Sequence, residues 1–338
     1  MQPTSPAQFA ATESGSVPGL EQVCDGVWAL GQPMPNPQLP YTLSYLIVDS
    51  HDAVHIIDPA WNSEENFAIL ERALVELGSS VSRVASATMT HLHLDHTGLA
   101  GRLRSASGAS IGISRIDHDT LERQAHVPST IHTDDEVLAW GVPEQRVAEL
   151  QERFMPDIGT VEVGADVLLE PGDQLDIPGR RISVLATPGH TAGSVCFLDR
   201  DARLLFTGDH LLPMIFPGIG LGGTTVENPV TTYVDSLDAL APFDGWQVLP
   251  GHGYRFTGLA ERRAASAEHH NRRTREAAAV LGGHPEATTY EIASQLHWTA
   301  GWAGLEGPYL RSALAQTSMH ADRVRRGDWA EYLAAHAG

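Results

Sequence analysis

Not one of the 338 residues is lysine, so all 22 basic residues are arginines. That excludes a lysine nucleophile or Schiff base. Cysteine is almost as scarce: Cys24 and Cys196 are the only two, too few for a disulfide framework. Cys196 lies in the apolar run 194–198 and reads as a buried strand residue. No apolar stretch is long enough to cross a bilayer. Residues 1–19, rich in Pro, Ser, Thr and Gln, lack the positive and apolar regions of a signal peptide and read as a loose tail. Together these absences lead to the expectation of a soluble, cytoplasmic protein.

Positive charge is also in short supply. The 22 arginines face 42 acidic residues, for a net charge of −20. Residues 261–338 hold nine Arg and nine Asp or Glu, so residues 1–260 carry the whole deficit. An acidic body repels phosphate backbones, which counts against a nucleic-acid partner.

What the chain does have is a dense set of metal-binding side chains. His91, His93, Asp95 and His96 lie together as T-H-L-H-L-D-H at 90–96. Imidazoles and carboxylates fill a core poorly unless something pairs with them, so such crowding points to a metal. The apolar run 84–89 before them reads as a buried strand, and His91 and His93, two apart in extended chain, point the same way. Asp95 and His96 follow where the chain turns into a helix. Three further segments repeat the pattern of strand, glycine and ligand: T187-P-G-H190, F206-T-G-D209-H210 and L249-P-G-H252-G.

These four segments resemble, in order and spacing over roughly residues 20–260, the metallo-β-lactamase-fold hydrolase superfamily. The resemblance implies an α/β fold, the four-layer αββα sandwich. It assigns His91, His93 and His190 to a first metal, Asp95, His96 and His252 to a second, and Asp209 to a bridge between them. Two Zn2+ ions are the default, with iron or manganese admitted by the same donors. Asp58, at the end of the apolar run 54–57, is a candidate to orient a ligand histidine; its alternative is to cap the turn before Pro59. His210 is either a hydrogen-bond donor to substrate or a turn histidine. Asp95 is the candidate catalytic residue, orienting a metal-bridging hydroxide and carrying its proton to the leaving group.

Around this frame the apolar pattern predicts strands near 23–30, 42–48, 54–57, 109–113, 167–169, 182–186, 195–198, 204–206 and 247–249, and a helix over 63–77. The expected organisation is a catalytic domain over 20–257, with a helical insertion at about 115–160. Trp140, Phe154 and Met155 of that insertion either line a roof over the cleft or anchor the segment to the body. His118, His126 and His132 read as surface or helix-end histidines. The glycine-rich stretch 213–223 lacks a phosphate-loop lysine and reads as a cleft-edge loop. Residues 258–338 are expected to form a helical module, similar to the winged-helix-like one appended to some superfamily members, among them a β-lactamase-like endoribonuclease group. Its last helix carries Arg311, Arg323, Arg325 and Arg326.

The reading this supports is a dinuclear-metal hydrolase of a carboxylic ester-type bond in a small acyl substrate: a thioester, a lactone or a relative with an apolar group. A phosphodiesterase or endoribonuclease is the alternative, and a non-catalytic metal-binding scaffold is a third. A homodimer is compatible with the neutral C-terminal module, and no membrane partner is expected.

Overall fold

The computed structural model describes residues 1–36, 38–125, 134–151, 164–222, 225–298 and 301–336. His126, His132, Phe154 and Met155 lie outside the described residues. Thirteen strands occur among the described residues: β1 (Gln2–Pro3), β2 (Glu21–Cys24), β3 (Val27–Pro33), β4 (Tyr41–Val48), β5 (Val54–Ile57), β6 (Val84–Thr88), β7 (Ser110–Ser114), β8 (Val167–Leu169), β9 (Ile182–Ala186), β10 (Val195–Asp199), β11 (Leu204–Gly208), β12 (Gln247–Pro250) and β13 (Phe256–Thr257). They form two sheets, ordered β2-β3-β4-β5-β6-β7-β8 and β1-β13-β12-β11-β10-β9.

Alternating apolar side chains from both sheets interleave to make the inner core, in which Leu43, Tyr45, Ile47 and Ile57 meet Val184, Phe197, Phe206 and Leu249. Helices cover the two outer faces. On the first sheet the helix Glu64–Glu76 is started by Ser63, whose side chain accepts the amide hydrogen of Asn66, with Glu64 and Glu65 at its positive end. Its face of Phe67, Leu70, Ala73 and Leu74 packs on Leu46, Ile56 and Ala87. On the second sheet, the helix Pro229–Ala239 and the start of the helix Leu259–Gly283 cover Cys196, Leu198, Leu205 and Val248. The four layers expected from the ligand motifs are present, and Cys196 is a buried strand residue.

The N-terminal segment is ordered rather than a loose tail. β1 pairs antiparallel with β13, and Pro6–Ser14 is a helix capped by Ser5 with Pro at its first position. The buried Gln8 fixes it to the body, its Oε1 accepting from the Arg255 amide at 3.0 Å and Nε at 3.3 Å. The Pro- and Ser-rich composition that suggested disorder supplies a helix start.

Residues 259–336 are helical, with Leu259–Gly283, Thr289–Ala293, Gly307–Arg326 and Asp328–Ala335. No strand occurs among the described residues there, so the likeness to a winged helix extends to helices only. Trp140, with Val137, Val142 and Leu150, joins the core that these helices build around Ala277, Ile292, Leu310 and Leu314. The Trp140 carbonyl accepts from the Tyr290 amide at 2.8 Å. Trp140 therefore anchors the insertion to the C-terminal helices and does not roof the metal ligands.

Gln8→Ala leaves the buried Arg255 amide without its acceptor, and the expected loss of stability in urea unfolding is about 1–3 kcal/mol. An unchanged midpoint would restore the loose-tail reading.

Candidate metal centre

All the candidate ligands follow the C-terminal ends of strands at one edge of the sandwich. β5 and β6 run parallel in the first sheet, and they deliver Asp58 and the 90–96 loop. In the second sheet β9, β11 and β12 point the same way and deliver His190, Asp209 and His252. The register of β11 against β12 shifts between Phe206 and Gly208, a bulge that turns Asp209 out of the sheet. Gly251 allows the two strand ends to close: a Cβ there would lie 2.6 Å from both Asp209 Oδ1 and His96 Cε1.

The donors gather in two clusters, His91 with His93 and His190, and Asp95 with His96, Asp209 and His252. In the first, His93 Nδ1 lies 2.9 Å from His91 Nε2 and 3.0 Å from His190 Nε2. In the second, His252 Nε2 is 3.2 Å from Asp95 Oδ2 and 3.3 Å from Asp209 Oδ1, and His96 Nε2 is 3.5 Å from each of the same two oxygens. Asp209 spans the gap, its other oxygen Oδ2 lying 3.7 Å from His190 Nε2.

Each ring is fixed from its far side. His93 Nε2 is 2.9 Å from the Leu221 carbonyl, His190 Nδ1 2.7 Å from that of Gly218, and His252 Nδ1 2.7 Å from that of Tyr41. A carbonyl only accepts, so those nitrogens carry the hydrogen and the facing ones are the ones left to meet a cation. His96 Nδ1 is 2.9 Å from Asp58 Oδ2, and His91 Nδ1 is 3.1 Å from Thr90 Oγ1, whose hydroxyl donates to the same carboxylate. Asp58 also accepts from the Thr90 amide at 2.7 Å. Asp58 therefore orients two ligand histidines, and its backbone takes up a left-handed φ of 56° to do so.

The inward atoms show what the cluster fits. His96 Nε2, His252 Nε2 and Asp209 Oδ1 are buried with no hydrogen-bond partner. A cation is the partner that buried lone pairs and carboxylates share. Burial, joined by the other rings, holds His91 well below the usual imidazole range and His190 down to about 4, so both are neutral donors. Burial also opposes charge on His96 and His252, but the carboxylates beside them outweigh it, raising His96 and pushing His252 up to about 10, so a cation bound there would displace a proton from each ring. The set fits metal ions in both clusters, the second carrying the negative charge.

Two supports left no clear trace in the sequence. Asp117, buried just past the end of β7, ties the 90–96 loop to the 187–194 loop by accepting from the Leu92 amide at 2.9 Å, the Thr191 hydroxyl at 2.8 Å and the Gly193 amide at 2.9 Å. Burial pushes its carboxyl up to about 6 against these donors. Its signal was its place, an aspartate at the same sheet edge as the ligands. The cleft-edge loop is the second, contributing the carbonyls of Gly218 and Leu221. His210 does not reach the open cleft. It is 1% exposed, packs against Tyr233 at 5.0 Å, and neither ring nitrogen has a partner. His118 lies beside Asp119 on the surface side of its helix, as expected.

The family model described as the metallo-beta-lactamase superfamily matches residues 39–252, which include all seven donors. The chain belongs to this superfamily. Among superfamily structures, a metallo-beta-lactamase family protein from Thermus thermophilus aligns with a TM-score of 0.70 at 28% identity, covering 91% of this chain and 95% of that one. The beta-lactamase-like protein 2 homolog of Caenorhabditis elegans is 24% identical over 285 residues, 84% of this chain and 80% of that protein. The human protein named acyl-coenzyme A thioesterase MBLAC2 is 27% identical over 185 residues, 53% of this chain and 60% of that protein.

Asp58→Asn keeps one acceptor but places an amide against hydrogens on Thr90 or His96. Its expected effect is a metal affinity about 10–100-fold lower, measured by chelator competition. Equal affinity in the variant would show that Asp58 does not orient the ligands.

Proposed function

We propose that this superfamily hydrolase uses two metal ions, with zinc the first choice, to cleave a carboxylic ester-type bond in a small acyl substrate, a thioester or lactone. The observation that carries the two-metal reading is the position of Asp209, with one oxygen toward each cluster. His91, His93 and His190 would hold one ion and Asp95, His96 and His252 the other. Ions so held supply a water of lowered pKa as nucleophile and polarise the scissile carbonyl.

The chain's own residues account for the remaining chemistry. Asp95 is the most exposed donor of its cluster, with its side chain 15% accessible, so one face of the carboxylate borders the cleft. From there it holds the attacking water by a hydrogen bond, takes its proton and passes it to the leaving oxygen or sulfur. Asp58, Thr90 and the carbonyls of Tyr41, Gly218 and Leu221 do not touch substrate; they keep the imidazoles in the donor tautomer.

An acyl substrate is favoured over a phosphodiester by charge and by how the C-terminal arginines are used. Arg311 donates to the Leu150 carbonyl, Arg325 to that of Ala287, and Arg326 pairs with Asp322 at 2.7 Å. Arg323 is fully buried, bonded to Asn271 and flanked by Trp329 and Tyr332. These four arginines are bonded within the helical module and its neighbours. The name of the human relative, a thioesterase of acyl-coenzyme A, points the same way.

The test is turnover of an acyl thioester, a lactone and single-stranded RNA by zinc-loaded protein, with Asp95→Asn alongside and its metal content measured. Acyl cleavage is expected, abolished by chelation and lowered about 100-fold or more in kcat by Asp95→Asn with KM little changed. Near-wild-type turnover in a fully metallated variant would remove Asp95 as the proton carrier. RNA cleavage alone would overturn the acyl reading.

A further inference from the structure

Beside His252 lies a small cavity of about 90 Å³ that the ligand set does not use. Its walls come from four separate parts of the chain: Thr12 on the N-terminal helix, Leu39 and Pro40 before β4, Leu212, Met214 and Ile215 after β11, and His252 and Gly253 after β12. No aspartate, glutamate or arginine lines it. Two of the polar side chains at its edge are already engaged. The Tyr41 hydroxyl lies 2.7 Å from Thr12 Oγ1 and 2.9 Å from the Gly253 carbonyl, and the Gln38 amide donates to the Tyr309 hydroxyl at 2.7 Å. With these taken and the rest of the wall mostly apolar, an apolar occupant gains more here than a polar one.

The apolar wall is held in place from behind. Arg262, buried at the start of the helix Leu259–Gly283, donates through Nε to the Leu212 carbonyl at 2.6 Å and through Nη2 to that of Ile215 at 2.5 Å. Its guanidinium also lies 4.5 Å from the centre of the Phe216 ring. Met214 and Ile215 are nonetheless 49% and 44% exposed. Two large apolar side chains on a backbone pinned in this way, next to a metal-cluster histidine, form a surface that an apolar ligand would cover.

We propose that this cavity is the acyl subsite, in which the apolar tail of the substrate lies against Leu39, Met214 and Ile215 while its carbonyl reaches the metal centre past His252. This rests on the acyl-hydrolase reading given above. In a thioester the acyl tail is the apolar partner and the thiol carrier the polar one, so the tail takes the uncharged cavity. A cavity of ~150 Å³ holds a benzene ring, so the smaller space here takes a chain of a few carbons. Short acyl chains fit, and long fatty chains exceed it.

Two measurements on the full-length, zinc-loaded protein test the assignment. The first is kcat/KM for thioesters of one thiol with acyl chains from acetyl to octanoyl, in wild type, Met214→Ala and Met214→Asp. A rise of about fourfold per buried methylene is expected, ending after a few carbons in wild type, extending further in Met214→Ala and flattening in Met214→Asp. The second needs no turnover: butanoate is titrated into protein labelled at the methionine methyls, and the Met214 signal, identified by its loss in Met214→Leu, is expected to shift. Thioester turnover with a chain-length profile indifferent to residue 214 would overturn the subsite and leave the acyl-hydrolase reading standing. A Met214 shift with no thioester or lactone cleaved would keep the apolar site and overturn that reading. Absence of a shift at saturating butanoate, together with an unchanged profile, overturns the subsite.

Discussion

Five imidazoles each turn one nitrogen toward one of two adjoining clusters because five acceptors hold their far sides. Three of those acceptors are main-chain carbonyls, of Tyr41, Gly218 and Leu221, and the other two are Asp58 and the Thr90 hydroxyl that leans on it. Everything else in the molecule can be ranked by its distance from this constraint. The two sheets bring strand ends to one edge, the bulge before Asp209 turns its carboxylate inward, and Asp117 locks two ligand loops together. Donors crowded in this way, and partly without protein partners, make metal affinity and fold stability a single quantity.

The C-terminal helices are part of the same arrangement. Through Arg262 they hold the backbone of residues 212–215, and that loop runs on to the carbonyls that fix His190 and His93. Gln38 donates to the Tyr309 hydroxyl, so the loop before β4 is tied to these helices as well. The insertion packs its described residues onto the same module through Trp140 and Leu150. What looked in the sequence like an appendage is a brace for the cleft wall.

The seven donors were legible because histidine and aspartate beside glycine at strand ends form a pattern that packing alone does not produce. Asp58 was legible as one of two alternatives, and contacts across more than thirty positions decided between them. The carbonyls of Gly218 and Leu221 could not be read, because every residue has a carbonyl and only the fold selects which ones face a ring. His210 was legible only as one of two alternatives, and its turn bond to the Thr207 carbonyl and packing onto Tyr233 favour the turn histidine. The N-terminal segment was misjudged by composition, although Ser5 followed by Pro6 is a helix-start signal in its own right. The helix Pro229–Ala239, opened by Asn228 and Pro229, carried the same kind of signal.

The order in which the donors occur along the chain bears on how the protein acquires its metals. The three histidines of the first cluster have all been synthesised by residue 190, whereas the second cluster awaits Asp209 and, last, His252 just after β12. At roughly 5–20 residues per second, translation separates the two events by a matter of seconds. Through that interval the first cluster gains the carbonyls of Gly218 and Leu221 that fix His190 and His93, while the second still lacks His252. The second cluster is complete only once β12 lies beside β11, so its last donor meets the others in the finished cavity rather than in the loose peptide.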